Sequence, residues 1–270
     1  MVPGGRVPDQ RATGDGLVIE EVVVRYGGHT AVNGMTLHAD LGRVTGLIGP
    51  NGAGKTTTFN ACSGLLRPTR GTIRLFGEDI TALSPQRRAQ RGLGRTFQRM
   101  ELFDSLSVRE NVAVGREAGL AGSKPWRHLR STRPDSVAVA DAAEVALHTC
   151  GIADLAAQRP ANLSTGQRRL VELARCMAGG FRIMLLDEPS SGLDKSETAS
   201  MGRILRTLVE QHGVGILIVE HDMSLVMSVC DYIHVLDFGE PIFEGNPTEV
   251  AGSEIVRAAY LGSDAVEAAI

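Results

Sequence analysis

The sequence predicts an α/β fold in which an antiparallel β layer lies beside a strand–loop–helix unit and a mainly helical lobe interrupts the chain. Three observations favour this fold. β-Branched runs separated by turns occupy the early part of the chain, and the apolar run Val44–Ile48 leads through a glycine-rich loop into a helical stretch from Lys55. Strand patterns then disappear between Ser105 and Gly180 and return at Ile183.

The antiparallel layer is predicted from three strand patterns around that loop. Leu17–Val24 is rich in β-branched residues and ends at the turn signal Tyr26-Gly27-Gly28. A second strand is expected over Thr30–His38, and a third over Thr72–Phe76, after the helix. Residues 1–16 are polar and rich in Gly and Pro, so we expect them to form a flexible tail.

The helical lobe is predicted from apolar spacing, with helices over Ser107–Val114 and Asp135–Thr149. Between them, Arg116–Asp135 is rich in Gly, Pro and basic residues and is interpreted as an exposed insertion. One hypothesis is contact with anionic lipid headgroups or a membrane subunit; the other is a solvated loop. The side chains concerned are Arg116, Lys124, Trp126, Arg127, Arg130 and Arg133.

Strand–helix alternation after the lobe predicts the remainder of the α/β core. The predicted segments are the strand Ile183–Asp187, the helix Lys195–His212, the strand Gly215–Glu220, the helix Met223–Cys230 and the strand Tyr232–Leu236.

Composition excludes several classes of protein. A net charge of −3 gives no global reason to expect nucleic-acid binding. No run approaches the roughly 20 apolar residues of a membrane-spanning helix, and the start lacks a signal-peptide pattern, so we expect a cytoplasmic chain.

The cysteines lack metal-ligand spacing and are expected to be buried thiols in helical segments. They are Cys62, Cys150, Cys176 and Cys230.

The glycine-rich loop matches the phosphate-binding pattern GxxxxGK[ST], known as the P-loop. Its glycines let backbone N–H groups turn towards phosphate oxygens, and the helix that follows points the positive end of its dipole at the same anions. Lys55 would contact the β- and γ-phosphates, and the Thr56 hydroxyl would bind Mg²⁺. The predicted ATP-binding residues are Gly49, Pro50, Asn51, Gly52, Ala53, Gly54, Lys55, Thr56 and Thr57.

Two adjacent acids end the apolar strand Ile183–Asp187, as expected for nucleotide hydrolysis. Successive strand side chains point to opposite faces, so Asp187 and Glu188 should address different partners. We expect Asp187 to support the Mg²⁺ shell and Glu188 to polarise the attacking water.

The segment Leu163-Ser164-Thr165-Gly166-Gln167 is similar to the LSGGQ signature of the ABC ATPases. With this segment, the chain resembles that family over nearly all of residues 17–262. Ser164 is a good N-cap for a helix over Thr165–Met177. The resemblance implies a RecA-like α/β core at about 17–97 and 181–270, with a helical subdomain at about 98–180. It also implies a head-to-tail dimer in which this helix end meets the γ-phosphate held by the opposite subunit.

Further positions match the family's motifs one by one, and their roles are what the resemblance implies. Tyr26 would lie against adenine, Gln98 would contact Mg²⁺ or the water, and His221 would contact the γ-phosphate. Asp194 would communicate between the two sites. The expected catalytic residues are therefore Glu188, His221 and Gln98; the expected metal residues are Thr56, Gln98 and Asp187; and the expected nucleotide contacts beyond the P-loop are Tyr26, Ser164, Gly166, Gln167 and Asp194.

Finer features resemble the ATPases of branched-chain amino acid importers: RTFQ around Gln98, EHDM around His221 and the ending Ala259-Tyr260-Leu261-Gly262. At Gly192-Leu193-Asp194-Lys195 the chain departs from the GLNP common in that group. Implied partners are membrane permeases, an identical or paralogous ATPase and an extracytoplasmic solute-binding protein, at the inner face of the membrane and without nucleic acid. Alternatives are a urea or amide importer, a lipopolysaccharide-type exporter, or an ABC ATPase acting on DNA or ribosomes.

Overall fold

Two β-sheets carry the fold in the computed structural model, which describes residues 15–96, 102–121 and 133–260. Within those residues, the first sheet is antiparallel and has the order β2-β1-β4-β5. Its strands are β1 (Gly16–Tyr26), β2 (His29–Asp40), β4 (Arg70–Leu75) and β5 (Glu78–Asp79). The predicted antiparallel layer is confirmed, although β1 begins at Gly16, the last residue of the predicted tail.

The second sheet is parallel except at one edge, and its order among the described residues is β10-β9-β3-β8-β7-β6. Its strands are β3 (Val44–Ile48), β6 (Leu93–Arg95), β7 (Ile183–Asp187), β8 (Gly215–Val219), β9 (Tyr232–Asp237) and β10 (Glu240–Gly245). β3, β7 and β8 are buried along their whole length, which is why they are continuous apolar runs in the sequence.

The helices of the described residues follow the predicted alternation in most places. They are α1 (Lys55–Ser63), α2 (Pro85–Ala89), α3 (Val108–Ala121), α4 (Arg133–Thr149), α5 (Thr165–Ala178), α6 (Lys195–His212), α7 (Met223–Val229), α8 (Pro247–Gly252) and α9 (Glu254–Tyr260). None of them is long and apolar enough to cross a membrane, in the part of the chain that the structure describes.

The parallel sheet separates two hydrophobic cores. On β7, Leu185 faces the antiparallel layer and packs with Leu47 and Leu217, whereas Leu186 faces the helices. The second core continues into the lobe through Val112, Leu147 and Val171 of α3, α4 and α5. The parallel sheet therefore lies between the antiparallel layer and the helical lobe, and so do the loops that follow its strands.

The expected exposed insertion is partly wrong. α3 continues to Ala121 and α4 begins at Arg133, so both ends of that segment are helical. Gly115, directly before this segment, lies inside α3, and its lack of a Cβ lets α3 approach the Arg175 carbonyl oxygen of α5 closely. Lys124, Trp126, Arg127 and Arg130 lie outside the described residues, as do residues 1–14 of the expected tail.

The cysteines are free and buried, as predicted. Cys62 and Cys176 lie inside α1 and α5. Cys150 and Cys230 instead follow the last residues of α4 and α7, so each lies one position beyond the helix in which it was expected.

Candidate functional site

The phosphate loop runs from the end of β3 to the first residue of α1, as predicted. Gly49 and Gly54 have φ values of 151° and 102°, which favour glycine. A Cβ on Gly49 would overlap the Leu236 carbonyl oxygen, and one on Gly54 would lie 2.6 Å from the Ala31 carbonyl oxygen. The neighbouring β2 and β9 strands therefore leave no room for side chains at either end of the loop.

Lys55 points back into this loop. Its Nζ donates hydrogen bonds to the carbonyl oxygens of Gly49, at 2.6 Å, and Pro50, at 2.8 Å. Burial lowers the pKa of Lys55, and the carboxylates of Glu188 and Asp187 oppose that shift. The ammonium group thus lies between the loop and both acids that the sequence singled out.

A cavity of about 310 Å³ opens over the loop. The loop and the start of α1 form its floor, and the side chains of Glu188 and His221 form one wall. His29 and Ala31 of β2 form another part of the lining, and neither was predicted. The residues that line the cavity are His29, Ala31, Asn51, Gly52, Ala53, Gly54, Lys55, Thr56, Thr57, Glu188 and His221.

Tyr26 lies beside the cavity and does not line it. Its ring is half exposed, and its backbone pairs with His29 across the turn between β1 and β2. His29 lies at the turn directly opposite Tyr26, the ring expected to contact adenine. That position in the sequence could have predicted that His29 lines the cavity.

Glu188 and His221 face each other across the ends of two neighbouring strands. The distance from Glu188 Oε1 to His221 Nε2 is 3.0 Å. Glu188 follows β7 with φ 48°, a left-handed conformation that is uncommon outside glycine. Its backbone N–H is held by the Val219 carbonyl oxygen of β8 at 2.9 Å. This unusual backbone turns the carboxylate towards the cavity.

Asp187 pairs with a different side chain from Glu188. Its Oδ2 pairs with the guanidinium of Arg95 at 3.0 Å, and Arg95 also donates to Asn60 and Ser63 of α1. Burial raises the pKa of Asp187, and Arg95 opposes the shift. Arg95 was not among the predicted site residues, and Gln98, three positions further along, lies outside the described residues.

The signature segment lies apart from the cavity of its own chain. Ser164 caps α5, as predicted: its Oγ accepts from the N–H of Gln167, whose side chain accepts from the N–H of Ser164. A Cβ on Gly166 would overlap Glu197, in the first turn of α6. Asp194 caps that helix by accepting from the N–H of Glu197. The signature and the turn before α6 are therefore neighbours.

Comparison with known proteins agrees with this arrangement. The family model described as ABC transporter matches residues 32–191, more than half of the chain. The chain belongs to the ABC transporter family. BraF of Pseudomonas aeruginosa, a high-affinity branched-chain amino acid transport ATP-binding protein, is 38% identical over 257 residues, 91% of this chain and 97% of BraF.

Two further ABC relatives bear on function and fold. LptB of Acidithiobacillus ferridurans, a lipopolysaccharide export system ATP-binding protein, is 37% identical over 88% of this chain and 92% of LptB. The ADP conformation of MJ1267, an ATP-binding cassette of an ABC transporter, has a TM-score of 0.79 and 27% identity, covering 92% of this chain and 98% of MJ1267.

The predicted family and fold are thus confirmed. The chain is an ABC ATPase that binds nucleotide, and it is homologous to the ATPases of branched-chain amino acid importers.

Proposed function

We propose that this chain hydrolyses ATP in the cavity over the phosphate loop, with Glu188 as the general base. The observation that carries the proposal is the pair of Glu188 and His221, which share one cavity wall facing Lys55 and Thr56. Glu188 would take a proton from the attacking water, and His221 would hold both the Glu188 carboxylate and the γ-phosphate oxygens. Tyr26 and His29 would place the adenine and ribose.

The oxygen donors at this site fit Mg²⁺. Thr56 offers a hydroxyl at the cavity floor, and Asp187 is a buried carboxylate whose Oδ2 is held by Arg95. The described residues contain no cluster of three or more His, Cys, Asp or Glu that could cage a metal, and Mg²⁺ normally takes most of its ligands from phosphates and water. Bound there with Gln98, Mg²⁺ would neutralise charge developing on the β- and γ-phosphates.

We infer that the active form is a dimer. Ser164, Gly166, Gln167 and Asp194 do not line the cavity of their own chain, although the family resemblance assigns them to a nucleotide site. The N-terminus of α5 offers backbone N–H groups and a positive dipole end, which suit a phosphate presented by a second subunit. Each closed site would then combine the cavity of one subunit with the signature of the other.

We propose transport of branched-chain amino acids as the process that ATP hydrolysis drives. The support is the similarity to BraF over nearly the whole of both chains. The ATPase would lie at the inner face of the membrane and act with transmembrane permeases, a second ATPase and an extracytoplasmic solute-binding protein. Lipopolysaccharide-type export is the second candidate, favoured by the similarity to LptB.

The Glu188→Gln variant tests both the general base and the proposed dimer. We expect it to bind ATP, to hydrolyse it about 10²- to 10⁴-fold more slowly and to remain a closed dimer, because a base contributes roughly that factor. Glu210→Gln, on the exposed face of α6, is the matched control and should keep the wild-type rate. Wild-type turnover in Glu188→Gln would overturn the assignment of the base.

The partners are identified by purifying Glu188→Gln from its native cells in mild detergent after trapping with ATP and Mg²⁺. Recovery of two permeases, a second ATPase and an amino-acid-binding protein supports import. Recovery of lipopolysaccharide-export components supports the second candidate. Recovery of ribosomal or DNA-repair proteins without a membrane subunit would overturn the transport assignment.

A further inference from the structure

A buried carboxylate joins the two loops that carry Glu188 and His221. Glu220 Oε1 accepts a hydrogen bond from the backbone N–H of Ser190 at 2.7 Å, and its Oε2 accepts one from the N–H of His221 at 3.1 Å. The N–H of Asp222 also donates to this carboxylate. Ser190 follows β7 and the other two residues follow β8, so one side chain holds loops from two neighbouring strands.

A carboxylate is an unusual side chain at a position as buried as that of Glu220. Glu220 is only 2% exposed, and burial raises its pKa, whereas the three backbone donors oppose that shift. A buried carboxylate is costly unless it is well hydrogen-bonded, and bonds from N–H groups to an ionised acceptor are among the strong ones. The arrangement is stable only while both loops present their N–H groups to the same point.

The contact between Glu188 and His221 lies beside the hydrogen bonds that Glu220 makes to the two loops. Within the sheet, β7 and β8 are held in register up to the pair Asp187 and Val219. Beyond it, the backbone bond from Glu188 to Val219 and the carboxylate of Glu220 join the two loops. The 3.0 Å contact between Glu188 and His221 is formed by side chains on opposite sides of this junction.

The same junction leads towards the turn before α6. The N–H of Ser191 donates to the Glu188 carbonyl oxygen, and the N–H of Leu193 donates to the Ser190 carbonyl oxygen. Leu193 precedes Asp194, the cap of α6. A path of hydrogen bonds therefore runs from the His221 backbone through Glu220 and Ser190 to Leu193, the residue before Asp194.

We propose that Glu220 is a positioning residue that fastens the loop of the general base to the loop of His221 and connects both to the turn before α6. This rests on the proposed function, because it assumes that Glu188 and His221 act together on water and the γ-phosphate. Glu220 touches neither the cavity nor the reacting atoms, so it acts through the two loops.

Glu220→Gln tests the proposal at constant side-chain size. A glutamine amide has only one acceptor oxygen, so it can accept from the Ser190 N–H or from the His221 N–H but not from both; the other N–H would face the amide NH₂, and the link between the two loops is lost. We expect kcat for ATP hydrolysis to fall at least about 10-fold, whereas the Kd for ATP stays within about 2-fold, because the phosphate loop is untouched.

Asp231→Asn is the matched control. Asp231 also accepts a backbone N–H, that of Val44 at 2.8 Å, and it pairs with Arg206, but it lies at the opposite end of β3 from the phosphate loop. It should lower the thermal midpoint and leave kcat per folded molecule unchanged. If Asp231→Asn lowers kcat as much as Glu220→Gln does, the effect is one of stability and the proposal fails.

A double-mutant cycle separates positioning from a general structural role. In a His221→Ala background, Glu220→Gln should cost little further activity, because residues that act as one unit are strongly non-additive. Full additivity would overturn the proposal. If Glu220→Gln does not fold, Glu220→Asp, which keeps the charge but shortens the reach, is measured in the same cycle with the same expected non-additivity.

The test also separates this proposal from the proposed function. A wild-type protein without ATPase activity would overturn the proposed function. An active wild type together with an equally active, folded Glu220→Gln variant would overturn only the role of Glu220.

Discussion

At the scale of single residues, three acids near the cavity differ mainly in what surrounds them. Glu188 faces His221, Asp187 pairs with Arg95, and Glu220 accepts backbone N–H groups. Burial raises the pKa of both Asp187 and Glu220. These surroundings differ in the way that the three proposed roles require: proton acceptance by Glu188, support of a metal shell by Asp187 and fastening of loops by Glu220.

The raised pKa of Glu220 predicts a specific dependence of stability on pH. In the unfolded chain the Glu220 carboxyl loses its proton at about pH 4, the ordinary pKa of Glu. In the folded protein its pKa is raised, so it keeps the proton to higher pH. Stability from this group is therefore complete below the unfolded pKa and is lost as pH rises through the folded pKa. Relative to Glu220→Gln, wild-type stability should fall across that window.

Urea unfolding of both proteins at stepped pH values measures this difference. Cys230, whose pKa is raised by burial and in part by Glu220, stays neutral throughout and does not contribute. A difference between the two proteins that is constant with pH would contradict the prediction.

His29 supplies a second prediction at this scale. Because it lines the cavity beside Tyr26, His29→Ala should raise the KM for ATP several-fold and leave kcat within about 2-fold, the pattern for loss of ground-state binding. Steady-state ATPase kinetics measure both constants. His148→Ala, on the exposed surface of α4, is the control and should change neither constant. A fall in kcat alone would contradict the assignment of His29 to nucleotide binding.

At the scale of elements, the sequence predicted best the segments whose burial leaves a continuous pattern. β3, β7 and β8 are buried on both faces; β3 and β7 have the predicted bounds, and β8 ends at Val219, one residue before the predicted end at Glu220. The short β6 and the edge strand β10, which contains Pro241, carry no such run and were not predicted.

Contacts between distant residues explain what was missed at the candidate site. Arg95 and Asp187 are 92 residues apart, and Ser190 and Glu220 are 30 apart. Neither pair forms a local motif, so only the fold brings the partners together. The P-loop and the acid pair were predictable because each is one continuous segment with its own chemistry.

Gly115 gives the prediction that belongs to this scale. Gly115→Ala adds a methyl group against the Arg175 carbonyl oxygen and should destabilise the packing of α3 on α5 by about 1–3 kcal/mol, the usual cost of overpacking. Gly252→Ala in α8 is the control, since a Cβ there meets nothing within 4 Å. Thermal unfolding of both variants measures the difference, and equal midpoints would contradict the close approach.

At the scale of the whole molecule, the structure divides the proposed site between two distant parts of the chain. The cavity lies over the phosphate loop, whereas the capped N-terminus of α5 lies outside it beside the turn before α6. Two chains arranged head to tail would bring each part of one subunit against the complementary part of the other.

Nucleotide should therefore control the oligomeric state. Glu188→Gln is expected to sediment as a dimer with ATP and as a monomer without it, because bound phosphates supply the contacts across the interface. Adding Lys55→Ala should abolish the dimer, since Lys55 lies in the phosphate loop. Sedimentation velocity at fixed protein concentration checks both. A dimer that forms equally without ATP would contradict the arrangement.

The buried cysteines make motion between such subunits accessible to fluorescence. Burial raises the pKa of Cys62, Cys150 and Cys176 to about 12, and it also raises that of Cys230. Thiolates, the reactive form towards maleimide dyes, are therefore scarce in the native protein near neutral pH. A single cysteine introduced on the exposed face of α6 would take up a dye selectively, so that energy transfer between two subunits could follow opening and closure without removal of a native thiol.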